Sequence, residues 1–245
     1  MASNKIEVEV IVKEKKAKTT HIICILDCST SMGGQEEHVI SNFNKFLKEQ
    51  QELPGKAKLT LVKFDSEYEV IYDQVNLQRV KKLTHRQYFT RGMTAMYDAI
   101  GSTIDRLKSK KRAIVLIHTD GDENYSSEYT QRDVQKLVKS KKKDWEFIFA
   151  GAGIDAKRYA RDYGMNVNNS FKVSNNVAGL ADSYSNFTCS TTAYRAGNKV
   201  DLNEGIDTLK DIVVNNPDIV GDNIIKSSSG TVTINTVDNS EVTSN

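Results

Sequence analysis

Three oxygen-bearing side chains follow one apolar segment at every second position. In "HIICILDCSTSMGG" (21–34), Asp27, Ser29 and Ser31 come directly after the apolar run, and two glycines close the segment. Alternate side chains of an extended segment point to the same side, so this spacing turns the three oxygens toward one point. The glycines let the chain bend into the next element. Because carboxylate and hydroxyl oxygens are hard ligands, the pattern indicates a divalent metal site.

Two later segments carry oxygen ligands of the same kind. Asp120 follows the apolar run at 113–117, and Thr94 precedes a helical pattern in "RGMTAMYDAI". In open parallel sheets, ligands bind where the carboxyl ends of the strands meet the loops. We therefore expect one site built from Asp27, Ser29, Ser31, Thr94 and Asp120. Two carboxylates and three hydroxyls, without His or Cys, favour Mg²⁺, Mn²⁺ or Ca²⁺ over Zn²⁺ or Cu²⁺.

The elements that position these residues alternate between strands and helices. Short apolar runs predict buried strands at 21–26, 59–64, 113–117 and 147–151. Amphipathic helical stripes lie between them, at 39–47, 96–107 and 134–138. This alternation requires parallel crossovers, except where only "DSE" separates "LTLVKF" from "YEVIYDQV". We predict an α/β fold with three α-β-α layers, and a mostly parallel central sheet with one antiparallel edge strand.

Composition excludes several classes of function. Among 245 residues, 34 Lys and Arg against 32 Asp and Glu give a net charge of +2, which does not indicate nucleic acid, membrane or an acidic substrate. Cys24, Cys28 and Cys189 match no metal spacing and favour free thiols in a reducing compartment. No signal sequence or membrane span is evident. We expect a soluble cytoplasmic protein, alone or within a larger particle.

The chain ends differ in composition from its centre. The pattern divides the chain into an arm, a central domain, a helical extension and a polar tail, at 1–17, 18–200, 201–226 and 227–245. The arm alternates apolar and polar residues over 6–12, as the tail does over 231–237. The rest of the tail is rich in Ser, Thr and Asn, and is too polar to form a core. We expect the tail to become ordered only on another subunit.

The motif order resembles that of the von Willebrand factor A (VWA) domain and its metal-ion-dependent adhesion site (MIDAS). Asp27-x-Ser29-x-Ser31, Thr94 in "GMTAMYDAI" and Asp120 in "TDGDEN" carry the resemblance, which covers the central domain. It implies a Rossmann-like VWA fold. It also implies that Ser29 and Ser31 ligate the metal directly, and that the other three do so directly or through water.

The resemblance further implies what the site is for. In the family, one coordination position stays open, and an Asp or Glu of a protein partner fills it. The function predicted is therefore a non-enzymatic binding module, with no specific nucleic-acid partner. A structural assembly protein whose terminal arms make the contacts, as homo- or hetero-oligomers, remains the alternative. The fold alone does not choose between them.

Other roles for these residues give competing hypotheses. Asp27, Ser29 and Ser31 could cap the helix that begins near Gln35. A phosphotransferase of the haloacid-dehalogenase type would use Asp27 as a nucleophile with Mg²⁺. Such an enzyme needs a second Asp two residues later, where this chain has Ser29, so we discard it.

Several polar residues near the motifs have less specific interpretations. We expect His118 to be satisfied by a backbone group, Cys28 to point away from Asp27, and Asp122 and Glu123 to be solvated loop residues. The basic runs at 108–112 and 139–143 stand just before strands, at the sheet edge opposite the metal site. There they complement the helix dipoles, although an anionic partner at that edge is a second possibility.

Overall fold

A six-stranded sheet forms the centre of the molecule. The computed structural model of the chain describes residues 19–198, 200 and 202, together with the pairs 226–227 and 230–231. The strands are β1 (Thr20–Asp27), β2 (Ala57–Phe64), β3 (Tyr68–Asn76), β4 (Ala113–Thr119), β5 (Trp145–Ala152) and β6 (Ser170–Val173). Their order is β3-β2-β1-β4-β5-β6, and only the edge strand β3 is antiparallel to its neighbour. The predicted mixed sheet with one antiparallel edge strand is confirmed.

Helices cover both faces of the sheet. They are α1 (Glu36–Glu52), α2 (Met96–Leu107), α3 (Gln131–Lys141), α4 (Ala156–Asp162) and α5 (Val177–Ala196). The apolar side chains of α1 and α5 belong to one buried cluster, and those of α2, α3 and α4 belong to the other. The three α-β-α layers predicted from the sequence are therefore present.

Strand β1 shows why the sequences of the central strands are unbroken apolar runs. Cys24 and Leu26 pack in the cluster on the α1 side, whereas Ile23 and Ile25 pack in the cluster on the α2 side. All four side chains are at most 2% exposed. A strand buried on both faces cannot alternate apolar with polar residues, and this absence of alternation distinguishes it from a surface strand.

The register of the strands brings the motif-bearing ends together. In the parallel pairing of β1 with β4, Leu26 lies opposite His118. Asp27 closes β1, and Thr119 closes β4 one position beyond His118. Both strands therefore deliver their following loops to the same edge of the sheet, which we call the carboxyl edge.

The sequence patterns predict no individual helix or strand between β5 and the end of the central domain. This region contains α4, β6 and the long helix α5. The buried face of α5 contains the polar residues Ser183, Ser190 and Thr191 as well as apolar residues. Because these small polar residues interrupt the apolar stripe, the helical period is weak in the sequence.

Both ends of the described core lie at the edge opposite the carboxyl edge. Strand β1 begins there, and the Tyr194 hydroxyl near the end of α5 donates to the Asp144 carbonyl (3.0 Å) just before β5. The predicted arm at 1–17, with its strand at 6–12, lies outside the described residues, as does nearly all of the extension and tail. The exceptions are Leu202, which packs against the cluster on the α1 side, and an antiparallel pair, β7 (Lys226–Ser227) with β8 (Gly230–Thr231).

The three cysteines are free thiols, as predicted. Cys24 and Cys28 are buried, and burial raises the pKa of each thiol well above its usual range. Burial also raises the pKa of Cys189, to about 11. None of the helices within the described residues is long and apolar enough to cross a membrane.

We expect Gly179→Ala to destabilise the fold strongly. A methyl group on Gly179 would lie 2.0 Å from the Ser174 carbonyl oxygen, so the start of α5 would have to move away from the loop before it. Overpacking against backbone should cost about 3 kcal/mol or more of unfolding free energy, measured by urea denaturation. The neighbouring Ala178→Gly changes the chain by the same methyl group and should cost about 1 kcal/mol or less. Equal losses in the two variants would contradict the packing at Gly179.

Candidate metal centre

Asp27 ends β1 with both carboxylate oxygens already oriented. Its side chain is 0% exposed. The Ser29 amide donates to Oδ1 (2.7 Å), and the Thr119 hydroxyl at the end of β4 donates to Oδ2 (2.5 Å). The Tyr88 hydroxyl donates to the Asp27 carbonyl (2.5 Å) and so fixes the backbone of Asp27. The carboxylate is therefore fixed by two neighbouring elements at the carboxyl edge.

Ser29, Ser31 and Asp120 form a continuous set of oxygens beside it. The two serine hydroxyl oxygens lie 3.0 Å apart, and the Ser31 hydroxyl donates to Asp120 Oδ1 (2.6 Å). Ser29 is 2% exposed and Asp120 is 8% exposed, whereas Ser31 is exposed to solvent. The set is thus buried on the protein side and open on the solvent side.

The alternative role of these residues as helix caps is wrong. Helix α1 is capped by Gln35 without a side-chain hydrogen bond. Ser29 stands before the short 3₁₀ turn Thr30–Met32, and its side chain makes no capping bond there. The serine hydroxyls instead face each other and Asp120.

Thr94 is the fifth of the oxygen-bearing residues predicted to form the site. It is 3% exposed, its amide donates to Asn124 Oδ1 (2.9 Å), and the Asn124 amide donates to the Thr94 carbonyl (3.0 Å). A methyl group placed on Gly121 would lie 2.9 Å from Thr94 Oγ1 and 3.4 Å from Ser31 Oγ. Both hydroxyls therefore border the same small space, and all five predicted residues meet at the carboxyl edge.

The donor set fits a hard divalent cation. Its polar atoms are two carboxylates and three hydroxyls, as the sequence indicated. Across the described ranges, no three His, Cys, Asp or Glu residues are grouped as a metal site would require. A site here depends on hydroxyl ligands as much as on carboxylates, which suits Mg²⁺ or Mn²⁺ better than a softer metal.

The two carboxylates of this set raise an electrostatic cost, because Asp27 is buried close to Asp120. Burial raises the pKa of Asp27 to about 6, hydrogen bonds from Thr119 and Ser29 oppose that rise, and the nearby Asp120 carboxylate adds to it. Burial of a carboxylate without a cation disfavours its charged form. A divalent ion at this position would remove that penalty by compensating both carboxylates.

Two amides that support Asp120 were missed by the sequence reasoning. Asn175 Nδ2 donates to Asp120 Oδ2 (3.2 Å), and Gln35 Nε2 donates to Asn175 Oδ1 (2.7 Å). These contacts join the loop before α5 to the start of α1 across the site. They bridge residues far apart in the chain, so no local spacing predicts them.

An ion-pair cluster fixes the loop that leads to Thr94. Arg91 donates to three carboxylates, those of Asp65 (2.8 Å), Glu67 (2.6 Å) and Glu69 (2.7 Å). The Arg91 amide also donates to the Cys28 carbonyl (2.9 Å), next to Asp27. The loop is therefore attached both to the β2–β3 hairpin and to the first motif.

Among the other polar residues near the motifs, the structure corrects the expectations for His118 and Glu123. His118 is 1% exposed, its Nε2 makes no hydrogen bond within the described residues, and burial lowers its pKa to about 4. It is a neutral core side chain beside Tyr184, with ring centroids 6.2 Å apart. Cys28 does point away from Asp27, with its thiol 3.6 Å from Asp65 Oδ2.

The acidic residues after Asp120 have structural partners. Glu123 accepts hydrogen bonds from the amides of Tyr97, Tyr125 and Ser126 and from the Ser126 hydroxyl, at 2.7–2.9 Å. Glu123 therefore organises the loop and is not simply solvated. Asp122 accepts from the Tyr159 hydroxyl and lies 3.7 Å from Arg158. Neither carboxylate is among the oxygens that contact the five predicted residues.

Gly121→Ala should weaken metal binding while the fold persists. The added methyl group would occupy the space between Thr94 Oγ1 and Ser31 Oγ, and both hydroxyls would have to move away from it. We expect the Mn²⁺ affinity to fall about tenfold or more, as when supporting contacts of a metal site are lost. Calorimetric titration with Mn²⁺ measures the affinity, and thermal unfolding checks the fold. Unchanged affinity in the variant would place the metal elsewhere.

A protein-family model described as "VWA domain containing CoxE-like protein" matches residues 2–143, more than half of the chain. The chain belongs to this VWA family. VWA domains are typically protein-interaction modules. A comparison with curated protein sequences finds no match.

Solved structures of other proteins share the fold. Proximal thread matrix protein 1 from the mussel byssus, "with zinc occupied MIDAS motif", is 15% identical, with a TM-score of 0.51 over 71% of this chain and 48% of that one. The von Willebrand factor type A protein from Catenulispora acidiphila is 15% identical, with a TM-score of 0.51 over 69% and 42%. A D319A mutant of the PilB minor pilin from Streptococcus sanguinis is 12% identical, with a TM-score of 0.55 over 72% and 62%.

The VWA chain thus spans about half the length of the solved proteins it matches. At these identities the likeness establishes the fold only. The metal in the mussel protein shows that a VWA domain can hold a divalent ion at a MIDAS. The role of the corresponding edge in this chain has to be argued from its own residues.

Proposed function

We propose that this VWA domain is a non-enzymatic binding module that holds a divalent ion and uses it to engage a carboxylate of a protein partner. Asp27, Ser29, Ser31, Thr94 and Asp120 would hold Mg²⁺ or Mn²⁺, with Ca²⁺ as a further candidate. The observation that carries the proposal is the convergence of these five oxygen-bearing residues from three separate loops at one edge of the sheet.

The charge of the site favours an additional anionic ligand. Only Asp27 and Asp120 are anionic, and the three hydroxyls are neutral. A bound divalent ion would keep attraction for one more carboxylate, unlike a closed site whose own ligands exceed the charge of the metal. Ser31 is exposed, so a partner can approach from the solvent side. The partner's Asp or Glu is therefore the ligand we expect at the open position.

Catalysis is a less suitable function for these residues. A phosphotransferase of the haloacid-dehalogenase type would need a second Asp two residues after Asp27, and that position holds Ser29, whose hydroxyl faces Ser31. Burial keeps the thiol of Cys28 protonated and lowers the pKa of His118 to about 4. Neither group is suited to act as nucleophile or base near neutral pH.

A structural assembly protein remains the second candidate. Its support is positional, because the described core begins and ends at the edge opposite the metal centre. Contacts made by the terminal arms would then leave the carboxyl edge free. The two functions are compatible in one molecule, and they predict different responses to the same variants.

Affinity capture with and without chelator tests the proposal. Full-length protein is immobilised in Mg²⁺, partner proteins are bound, and EDTA is added. We expect EDTA to release the partner, and Asp27→Ala and Asp120→Ala to prevent its capture. Truncation after Lys226 is the comparison: it should leave metal-dependent capture intact and weaken only assembly through the tail. Capture that is equally strong in EDTA would refute the metal-dependent function, and loss on truncation alone would favour the assembly protein.

A further inference from the structure

Exposed hydrophobic side chains are concentrated at the carboxyl edge. In the described part of the chain, the large hydrophobic residues with well-exposed side chains are Phe89, Met93, Tyr125 and Val177, at 40–54% exposure. We call these four residues the apolar rim. Single exposed hydrophobic residues are ordinary, but a group at one edge marks an interaction surface.

Three members of the rim are directly connected to the metal centre. Met93 precedes Thr94, and Tyr125 follows Asn124. The Thr94 amide donates to Asn124 Oδ1 (2.9 Å), and the Asn124 amide donates to the Thr94 carbonyl (3.0 Å). Val177 lies two residues after Asn175, which donates to Asp120. These three rim residues therefore stand within one or two positions of residues that form or support the site, on two loops and at the start of α5.

The rim side chains project from a well-held backbone. The Met93 amide donates to Ser66 Oγ (2.8 Å), and the Tyr125 amide donates to Glu123 Oε1 (2.9 Å). Val177 is the first residue of α5, whose cap Asn176 accepts from the Gly179 amide (3.0 Å). Binding a partner on a preorganised surface costs less ordering entropy than binding on a mobile loop.

The carboxylates nearest the rim already have ionic or hydrogen-bonding partners. Arg91 pairs with Glu67 and Glu69, and Glu123 accepts hydrogen bonds from neighbouring amides. Phe89 has the ammonium of Lys63 4.0 Å from its ring centroid, on the same side of the molecule. An acidic segment approaching this edge would meet apolar side chains and carboxylates that are already engaged by Arg91, Lys63 or backbone amides.

We propose that the partner's contact is a linear segment in which an Asp or Glu is flanked by large apolar residues. The acidic side chain would reach the metal, and its apolar neighbours would pack on Met93, Tyr125 and Val177. This inference rests on the proposed function, and it adds the chemical class of the partner. Aromatic and Met side chains at the centre of an interface carry a large share of binding energy.

A peptide-display selection tests this inference. Peptides with one fixed Asp and randomised flanking positions are bound to the immobilised full-length protein in Mg²⁺ and eluted with EDTA. We expect Leu, Met, Phe, Tyr and Trp to be enriched beside the Asp. The double variant Met93→Ser/Tyr125→Ser should bind a selected peptide about tenfold more weakly or worse. Its Mn²⁺ affinity, measured without peptide, should equal that of the wild type.

Lys142→Ser/Lys143→Ser is the control, because both lysines are exposed just before β5, at the opposite edge. It should leave peptide binding unchanged. EDTA-eluted peptides without apolar preference, or equal binding by the rim variant, would overturn the inference and leave the proposed function in place. If Mn²⁺ binds but no peptide elutes with EDTA, the carboxylate-binding function fails, and this inference fails with it.

Discussion

Asp27→Asn should stabilise the protein in EDTA and destabilise it when a divalent metal is added. In EDTA at pH 7 the variant should be as stable as the wild type or more stable, by about 1–3 kcal/mol. In Mn²⁺ or Mg²⁺ at a thousandfold excess over the dissociation constant the wild type should gain about 4 kcal/mol, and the variant should gain almost none. The same substitution is then stabilising in one buffer and destabilising in the other.

The physical reason is the cost of burying a charge beside Asp120. Burial raises the pKa of Asp27 to about 6, above the value of about 4 that an unfolded chain gives an aspartate. A raised pKa in the folded state means that this group stabilises the metal-free fold below pH 4, and that the stabilisation is lost as the pH rises through 6. Asparagine never ionises, so the variant lacks this loss.

The hydrogen bonds at this position tolerate the amide. Asparagine Oδ1 can keep the bond from the Ser29 amide. The Thr119 hydroxyl can accept from the new amide group, and Thr119 can turn its own proton toward the Gly121 carbonyl, which lies 3.3 Å away. The substitution therefore changes charge more than shape.

Thermal unfolding of both proteins at pH 5 and pH 7, in EDTA and in Mn²⁺, measures these effects. In EDTA the stability advantage of the variant should be smaller at pH 5 than at pH 7. A variant that is several kcal/mol less stable than the wild type in EDTA at pH 7 would show that the charged carboxylate stabilises the metal-free fold. That result would contradict the electrostatic description of the site.

The sequence was sufficient to predict that these five residues lie together, because each follows a strand or precedes a helix with a strong pattern. Asp27 and Asp120 end parallel strands, and the geometry of such sheets brings their loops together whatever the intervening residues are. The predicted hairpin followed from a connection too short for a crossover, and the structure confirms it as β2 and β3. In these cases the backbone alone determines the arrangement.

The remainder of the site depends on side-chain contacts between distant segments. Asn175 and Gln35 support Asp120 from loops 140 positions apart, and Arg91 joins one loop to three carboxylates. Many Asn, Gln and Arg residues in the chain could make such contacts, and only the packed fold selects among them. His118 was expected to be satisfied by the backbone, yet its ring packs beside Tyr184 with Nε2 unpaired.

Asp120→Asn should abolish measurable metal binding. Asp120 is one of two anionic groups in the set, and Ser31 donates to its Oδ1 (2.6 Å). Replacing the carboxylate removes half of the negative charge that would hold a divalent ion. Since the loss of supporting contacts around metal ligands already costs about 10–100-fold, we expect an affinity loss of about 100-fold or more. The fold should persist, because asparagine can accept from Ser31 as aspartate does.

The most direct measurement is calorimetric titration of Mn²⁺ into the wild type, Asp120→Asn and Asp122→Asn. Asp122 is the matched control: it lies two residues away in the same loop, but its carboxylate contacts Tyr159 and Arg158. We predict one site in the wild type and in Asp122→Asn, with similar affinities, and no detectable binding in Asp120→Asn. Equal Mn²⁺ binding by Asp120→Asn and the wild type would contradict the assignment of the metal centre to this edge of the sheet.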